Sequence, residues 1–216
     1  MPTPVKPRRR YHSPQRQQQA LATRQQIVDA AARLFRRDGY FGTTIEAIAQ
    51  AAGVAAPTVY ATFGSKRAIL SALIDAAIFG TDPPGTPVSQ RTWYRELSPE
   101  PDPARLLRRW GEYLCQVNAR VAPVQQVVQS AAASDPHIAQ LWQRAKDQRL
   151  VGQSAIAQLL ADRQALRPGV SLSRAADILF VLSDAHVYDA YLLDRGWSPA
   201  QVAQWLGEAL CALLLP

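Results

Sequence analysis

The chain has 216 residues, 48% of them apolar and 19% charged, with a formal net charge of +7. That is enough apolar material for one compact domain or two small ones. No run of eighteen uncharged apolar residues occurs and no secretory apolar core stands near the start, so a membrane span and an exported protein are not expected.

The first twenty residues, MPTPVKPRRRYHSPQRQQQA, contain no acid and no packable apolar face. They read as a disordered basic arm over 1–20. Arg8, Arg9 and Arg10 are candidates for a DNA minor groove. The alternative is a tail attracted to DNA without a fixed place on it. Prolines oppose the amphipathic helix of a transit peptide. Residues 1–70 hold eleven Lys/Arg against three Asp/Glu, a balance of +8, and the remaining residues come to −1. The whole positive excess therefore sits in the first third, which points to a polyanion as its partner.

Ile27, Ala30, Ala31, Leu34 and Phe35 recur at helical spacing, and Gly39 marks the end of that helix. Thr43 is expected to cap a second helix, with Glu46 completing a capping box. Ile45, Ile48, Ala49 and Ala52 form its apolar stripe, and Gly53 suits a left-handed stop. Val54 fills the turn. Pro57 fits the first turn of a third helix, in which Val59 and Phe63 face inward and Thr58, Tyr60, Ala61 and Thr62 face out. Ser65 caps a fourth helix with Ile69, Leu70, Leu73 and Ile74 as its buried face. Leu34, Phe35, Ile45, Ile48, Val54, Val59, Phe63 and Ile69 are the expected core of a helix-turn-helix unit.

The segments IVDAAARLFRRDGY, TTIEAIAQAAGV and TVYATFGSK resemble, in order and spacing, the N-terminal domain of the TetR family of transcriptional regulators over about fifty residues from Arg24 to Leu73. The resemblance implies a dimeric, all-helical, cytoplasmic repressor. It would have a helix-turn-helix domain over 21–80 and a ligand-binding and dimerisation domain over 81–216. It implies that Thr58, Tyr60 and Lys66 hold phosphates, assisted by Thr44 and its neighbour Thr43. Two positions depart from the family pattern. Ala55 stands where Ser is usual, and Thr62 stands where His or Tyr is common.

The residues themselves limit how bases can be read. The third helix carries no Arg, Lys, Asn or Gln, so it cannot recognise guanine or adenine in bidentate fashion. Ala56, Pro57 and Ala61 offer apolar contact, Thr58, Tyr60 and Thr62 offer hydroxyls, and Ala55 beside them in the expected DNA-binding set lacks the hydroxyl that Ser would bring.

Residues 80–103 are rich in Pro and Gly and form a joint, with Trp93 and Tyr94 suggesting that it is packed down. Helical patterns follow near 103–119, 121–134, 136–166, 171–195 and 198–214, so the fold class is all-α. Ser198, Pro199 and Gln201 sign the start of the last helix, where Trp197 and Val202 can form a staple. The apolar run Ile178–Leu182 and the stripe Val202, Trp205, Leu206, Ala209, Leu210, Leu213 make 171–195 and 198–214 the expected homodimer interface. The alternative is that they serve the monomer's own core.

An effector pocket is expected between helices 103–119, 136–166 and 171–195. Its candidate walls are Trp110, Tyr113, Leu114, Val117, Val128, Trp142, Phe180 and Tyr188, with Asp184 and His186 as polar groups, and its occupant a small hydrophobic effector. For each aromatic alone, core filling is the commoner role. Ser183, Asp184 and His186 share one predicted helix at spacings that do not align a catalytic triad. Cys115 and Cys211 lie in apolar stretches with no CxxC, which suits reduced core thiols in a cytoplasm and no metal site. No cofactor is expected. A ligand-responsive repressor leads, an architectural or ligand-independent DNA binder follows, and an all-α enzyme or carrier is third.

Overall fold

A computed structural model describes residues 14–216. Its helices are α1 (Pro14–Gly42), α2 (Ile45–Ala52), α3 (Ala56–Phe63), α4 (Lys66–Phe79), α5 (Thr92–Leu97), α6 (Pro103–Ala132), α7 (Pro136–Asp162), α8 (Leu172–Leu182), α9 (Ala185–Asp189) and α10 (Pro199–Leu214). A short 3₁₀ turn, Val88–Gln90, precedes α5, and a π-helical turn, Ala190–Asp194, extends α9. No strand occurs among the described residues, and the fold is all-α.

The first helix starts earlier than expected. Residues 14–20, read as part of a disordered arm, form its opening turns. Gln, Arg, Ala and Leu are good helix formers, and that run outweighs the missing apolar face. Arg8, Arg9 and Arg10 lie outside the described residues. Gly39, at φ 74° and ψ 167°, interrupts α1 where the stop is expected.

The turn between α2 and α3 follows the sequence reading closely. Gly53 takes a left-handed backbone at φ 69°. Its N–H donates to Gln50 O and that of Val54 to Ala49 O, which closes both orphan carbonyls in a Schellman arrangement. Ile48, Val59 and Ile69 are fully buried, and Ile45, Val54 and Phe63 pack against them. The cap is one residue later than expected. Thr44 accepts from Ala47 N, whereas Thr43 is 1% exposed and donates from Oγ1 to Gly39 O.

The head does not end in a free joint. Val124, Val127, Val128 and Ala131 of α6 and Ile138 and Ala145 of α7 belong to the same buried cluster as Phe35, Ile69 and Leu70. The Pro- and Gly-rich stretch 80–103 contains α5, whose Trp93 and Leu97 are buried.

The two helices expected at 103–119 and 121–134 are one, running through Pro123. Burial of Asn118, Ala122, Val124 and Gln125 on both sides of the proline holds the helix together despite the lost N–H. The helix expected at 171–195 is broken. Asp184 is extended, at φ −68° and ψ 138°, and its carboxylate caps α9 by accepting from His186 N. In α10 the capping box of Ser198 and Gln201 forms as read. Its buried residues Val202, Leu206, Gly207, Leu210 and Leu214 face the protein's own interior, chiefly α6. Gly207 meets Gly111 of α6 with backbones nearly touching: a Cβ at Gly111 would stand 2.9 Å from Ala203 O and from Gly207 N.

Candidate nucleic-acid interface and interior cavity

Four helices build the head, and α3 is its outermost rod. Val59 is fully buried beneath it, while Tyr60 is 49% exposed on the opposite side. Thr44, Ala55, Pro57, Thr58 and Ala61 are exposed, and Ala56 and Thr62 are half-buried. Ala56 packs in part against the head's buried core, and the other seven are open to solvent in whole or in part. Thr62 Oγ1 is used locally, donating to Thr58 O at 2.7 Å. Ala55 leaves the start of α3 without a side-chain cap; Pro57 has no N–H there, and Thr58 N donates to Ala55 O at 2.9 Å.

Two members of the expected set sit elsewhere. Thr43 is buried, so its hydroxyl cannot meet a phosphate. Lys66 turns toward the corner between α1 and α2 and not toward the outer face. Its Nζ donates to Tyr40 O and Thr43 O, both at 2.7 Å, and lies 4.4 Å from the centre of the Tyr40 ring. Burial pushes its pKa below the usual lysine value. The reason is local: the chain leaves α1 through Gly39 with carbonyls that α1 no longer satisfies, and the ammonium is the donor within reach.

Residues missed in the sequence complete the surface. Because α1 begins at Pro14, Arg16, Gln17 and Arg24 share an open groove with Thr58 and Thr62 of α3. The Arg24 guanidinium stacks 4.2 Å from the centre of the Phe63 ring. The signal was present in the Gln-rich run, whose residue types favour a helix.

A second feature lies inside the larger domain. A cavity of about 80 Å³ is lined by residues of α4, α5, α6 and α7, with Arg91 ahead of α5 and Ser183 at the end of α8. Of the expected walls, Trp110, Tyr113, Leu114, Val117 and Trp142 line it. Trp93 lies tilted beside Trp110 at 4.8 Å between centroids, and Tyr113 lies nearly parallel to Trp110 at 5.1 Å. Burial pushes the Tyr113 phenol up to about 12.

The other expected walls do not reach it. Val128 is fully buried in the core shared with the head. Phe180 packs under the Arg149 guanidinium, at 3.9 Å. Tyr188 lies in a separate cluster with Cys115 and Ala122. Asp184 stands behind the wall, bound by Arg149 and by Gln125 Nε2. The break after α8 accounts for Asp184 and Tyr188, which it turns away from the line of a continuous helix, whereas Val128 lies on α6 and Phe180 on α8 ahead of the break. His186 is exposed and meets Gln129 at 2.9 Å. Ser183 Oγ donates to Phe180 O, so the three triad-like residues make no catalytic line.

Polar residues of α6 and α7 that went unremarked in the sequence do line the cavity. Trp110 Nε1 donates to Gln153 Oε1 at 3.2 Å, and Asn118 Nδ2 donates to Ser183 O at 3.3 Å. Arg91, 6% exposed, donates to Thr86 O and to Gln148 Oε1.

An outward third helix on a small trihelical core, joined to a larger helical body, defines the class: a helix-turn-helix DNA-binding protein. Residues 27–73 match the family model of bacterial regulatory proteins, tetR family, and the head of this chain is a TetR-family domain. Solved structures share the fold over nearly the whole chain. One is a protein named as a TetR-family transcriptional regulator from Mesorhizobium loti, at 20% identity and TM-score 0.69, covering 91% of this chain and 98% of that one. Another is NalD, the secondary repressor of the MexAB-OprM multidrug efflux pump in Pseudomonas aeruginosa, at 22% identity and TM-score 0.68, with the same coverage. A third is the regulator FadR from Bacillus subtilis in complex with stearoyl-CoA, at 19% identity and TM-score 0.69, covering 86% of this chain and 96% of that one. No curated protein matches the sequence. No helix among the described residues is long and apolar enough to cross a membrane.

Proposed function

We propose that this protein is a cytoplasmic, non-enzymatic, homodimeric repressor, released from its operator when a small, largely apolar effector enters the cavity between α6 and α7. One observation carries the reading. Ile78, on the last helix of the head, is part of the cavity wall. A ligand that moves this wall moves α4, and α4 sets the position of α3. By its differential affinity for the two arrangements, the ligand then changes the affinity for DNA. FadR, with its bound stearoyl-CoA, and NalD, a named repressor, are folds of this kind and support the reading by analogy.

Exposed apolar residues on the last helices support a dimer. Val181 of α8 is 61% exposed and Leu213 of α10 is 44% exposed, although both helices bury their other faces internally. Two heads would then sit about 34 Å apart on one face of a duplex. On DNA, Thr44, Ala55, Ala56, Pro57, Thr58, Tyr60, Ala61 and Thr62 would form the contact face, with Arg16 and Arg24 on its flank. Arg8, Arg9 and Arg10 would precede them toward the minor groove. The test is selection of bound duplexes from a random pool, repeated with candidate effectors. A selected site that a compound releases bears the reading out. Failure to enrich any duplex at low salt overturns it.

A further inference from the structure

Two buried polar atoms of side chains that line the cavity, Gln125 Oε1 and Arg149 Nε, have no hydrogen-bond partner among the described residues. Gln125 is 3% exposed. Its orientation is fixed chemically. Nε2 faces the Asp184 carboxylate at 3.2 Å, and a carboxylate only accepts. Turning the amide over would set oxygen against oxygen, so the orphan is the acceptor. Arg149 contributes the opposite need. One terminal nitrogen is engaged by Asp184, which leaves Nε–H as a donor with nothing to donate to. The two orphans thus flank one carboxylate, one wanting a donor and the other an acceptor. Buried polar groups left in this condition are costly and mark where a partner belongs.

We infer that the effector, on the reading given above, is an uncharged molecule with an apolar, flat body and one group that both donates and accepts, such as a hydroxyl or a primary amide. The body would lie against Trp93, Trp110, Tyr113 and Trp142. The polar group would donate to Gln125 Oε1 and accept from Arg149 Nε–H. An anionic head brings no proton for Gln125 Oε1 and leaves that acceptor unpaired, even with Arg91, Lys146 and Arg149 on the lining. A cationic head meets the Arg149 guanidinium. The cavity of about 80 Å³ is smaller than the roughly 150 Å³ hole that holds benzene in an engineered protein. A body larger than one ring needs more room than this cavity holds.

The test compares 1-naphthol, naphthalene and 1-naphthoate by calorimetric titration of the full chain, with quenching of tryptophan emission as a second readout. The expected result is that 1-naphthol binds about ten- to hundredfold more tightly than either of the others. In Gln125→Leu, checked for unchanged helicity, that preference over naphthalene shrinks toward unity while naphthalene binds as before. Equal or tighter binding of naphthalene or 1-naphthoate to the unaltered protein overturns the inference, as does binding of none of the three. Neither result touches the duplex-selection experiment, so the ligand class and the repressor reading fail separately.

Discussion

The ammonium of Lys66 closes the corner that α1 makes at Tyr40: it donates to the Tyr40 carbonyl at 2.7 Å and lies 4.4 Å from the centre of that residue's ring. A second bond, to Thr43 O, ties the same corner to the start of α4. The residue that sequence pattern assigns to phosphate is in this structure a brace inside the head.

Lys66→Met keeps the aliphatic stem but strips two carbonyls of their donor. The expected cost is about 1–3 kcal/mol of stability, read from the urea midpoint. DNA affinity should fall by a similar factor on selected and random duplexes, because the loss acts through placement of α2 and α3. A loss restricted to the selected duplex would instead assign the lysine to base readout.

Affinity for DNA should drop by roughly 10³–10⁵ between 50 and 200 mM salt if a dimer neutralises about six to ten phosphates. Fluorescence anisotropy over that range measures the slope. Arg16→Ala and Arg24→Ala should each shorten it, by about one released ion per head, because both flank α3. An unchanged slope in both would remove that flank from the interface.

Gly111→Ala and Gly207→Ala each place a methyl where backbone already stands, 2.9 Å from Ala203 O in the first case and 2.9 Å from Arg108 Cα in the second. Overpacking of this kind costs about 1–3 kcal/mol. Thermal unfolding should show a lowered midpoint for either variant, with little change in DNA affinity at temperatures where the protein stays folded.

Asp184 supplies a pH dependence whose direction follows from its surroundings. Burial alone would raise its pKa, but the His186 N–H, Arg149 and Gln125 hold it below the ordinary aspartate value. A depressed carboxylate stabilises the fold fully above its unfolded pKa of about 4, and that contribution is lost as pH falls through the folded value. Asp184→Asn should therefore be less stable at pH 7 and should lose less on acidification than the unaltered chain. Urea midpoints between pH 3 and 7 decide this. Parallel curves would mean that the carboxylate contributes nothing to the acid limb.

What was legible in the sequence was local. The Gly53 turn, the Ser198 capping box and the inward positions Ile48, Val59 and Ile69 depend on neighbours within a few residues, and each stands where the pattern put it. The misreadings needed distant partners. Nothing near Lys66 in sequence announces two carbonyls more than twenty residues upstream. The cap at Asp184 interrupts an apolar helix pattern that periodicity alone would continue, and it carries Tyr188 away from the cavity. Gln125 and Arg149 acquire meaning only when α6 and α7 face each other across Asp184.

The buried cluster that runs from Phe35 and Ile69 into Val127, Val128 and Ile138 makes the first eighty residues poor candidates for transplantation. Cut free at Gly80, the fragment would present to water the apolar flank that α6 and α7 now cover. Chimeras that swap this end between regulators succeed only if they carry the matching stretch of those two partner helices with them.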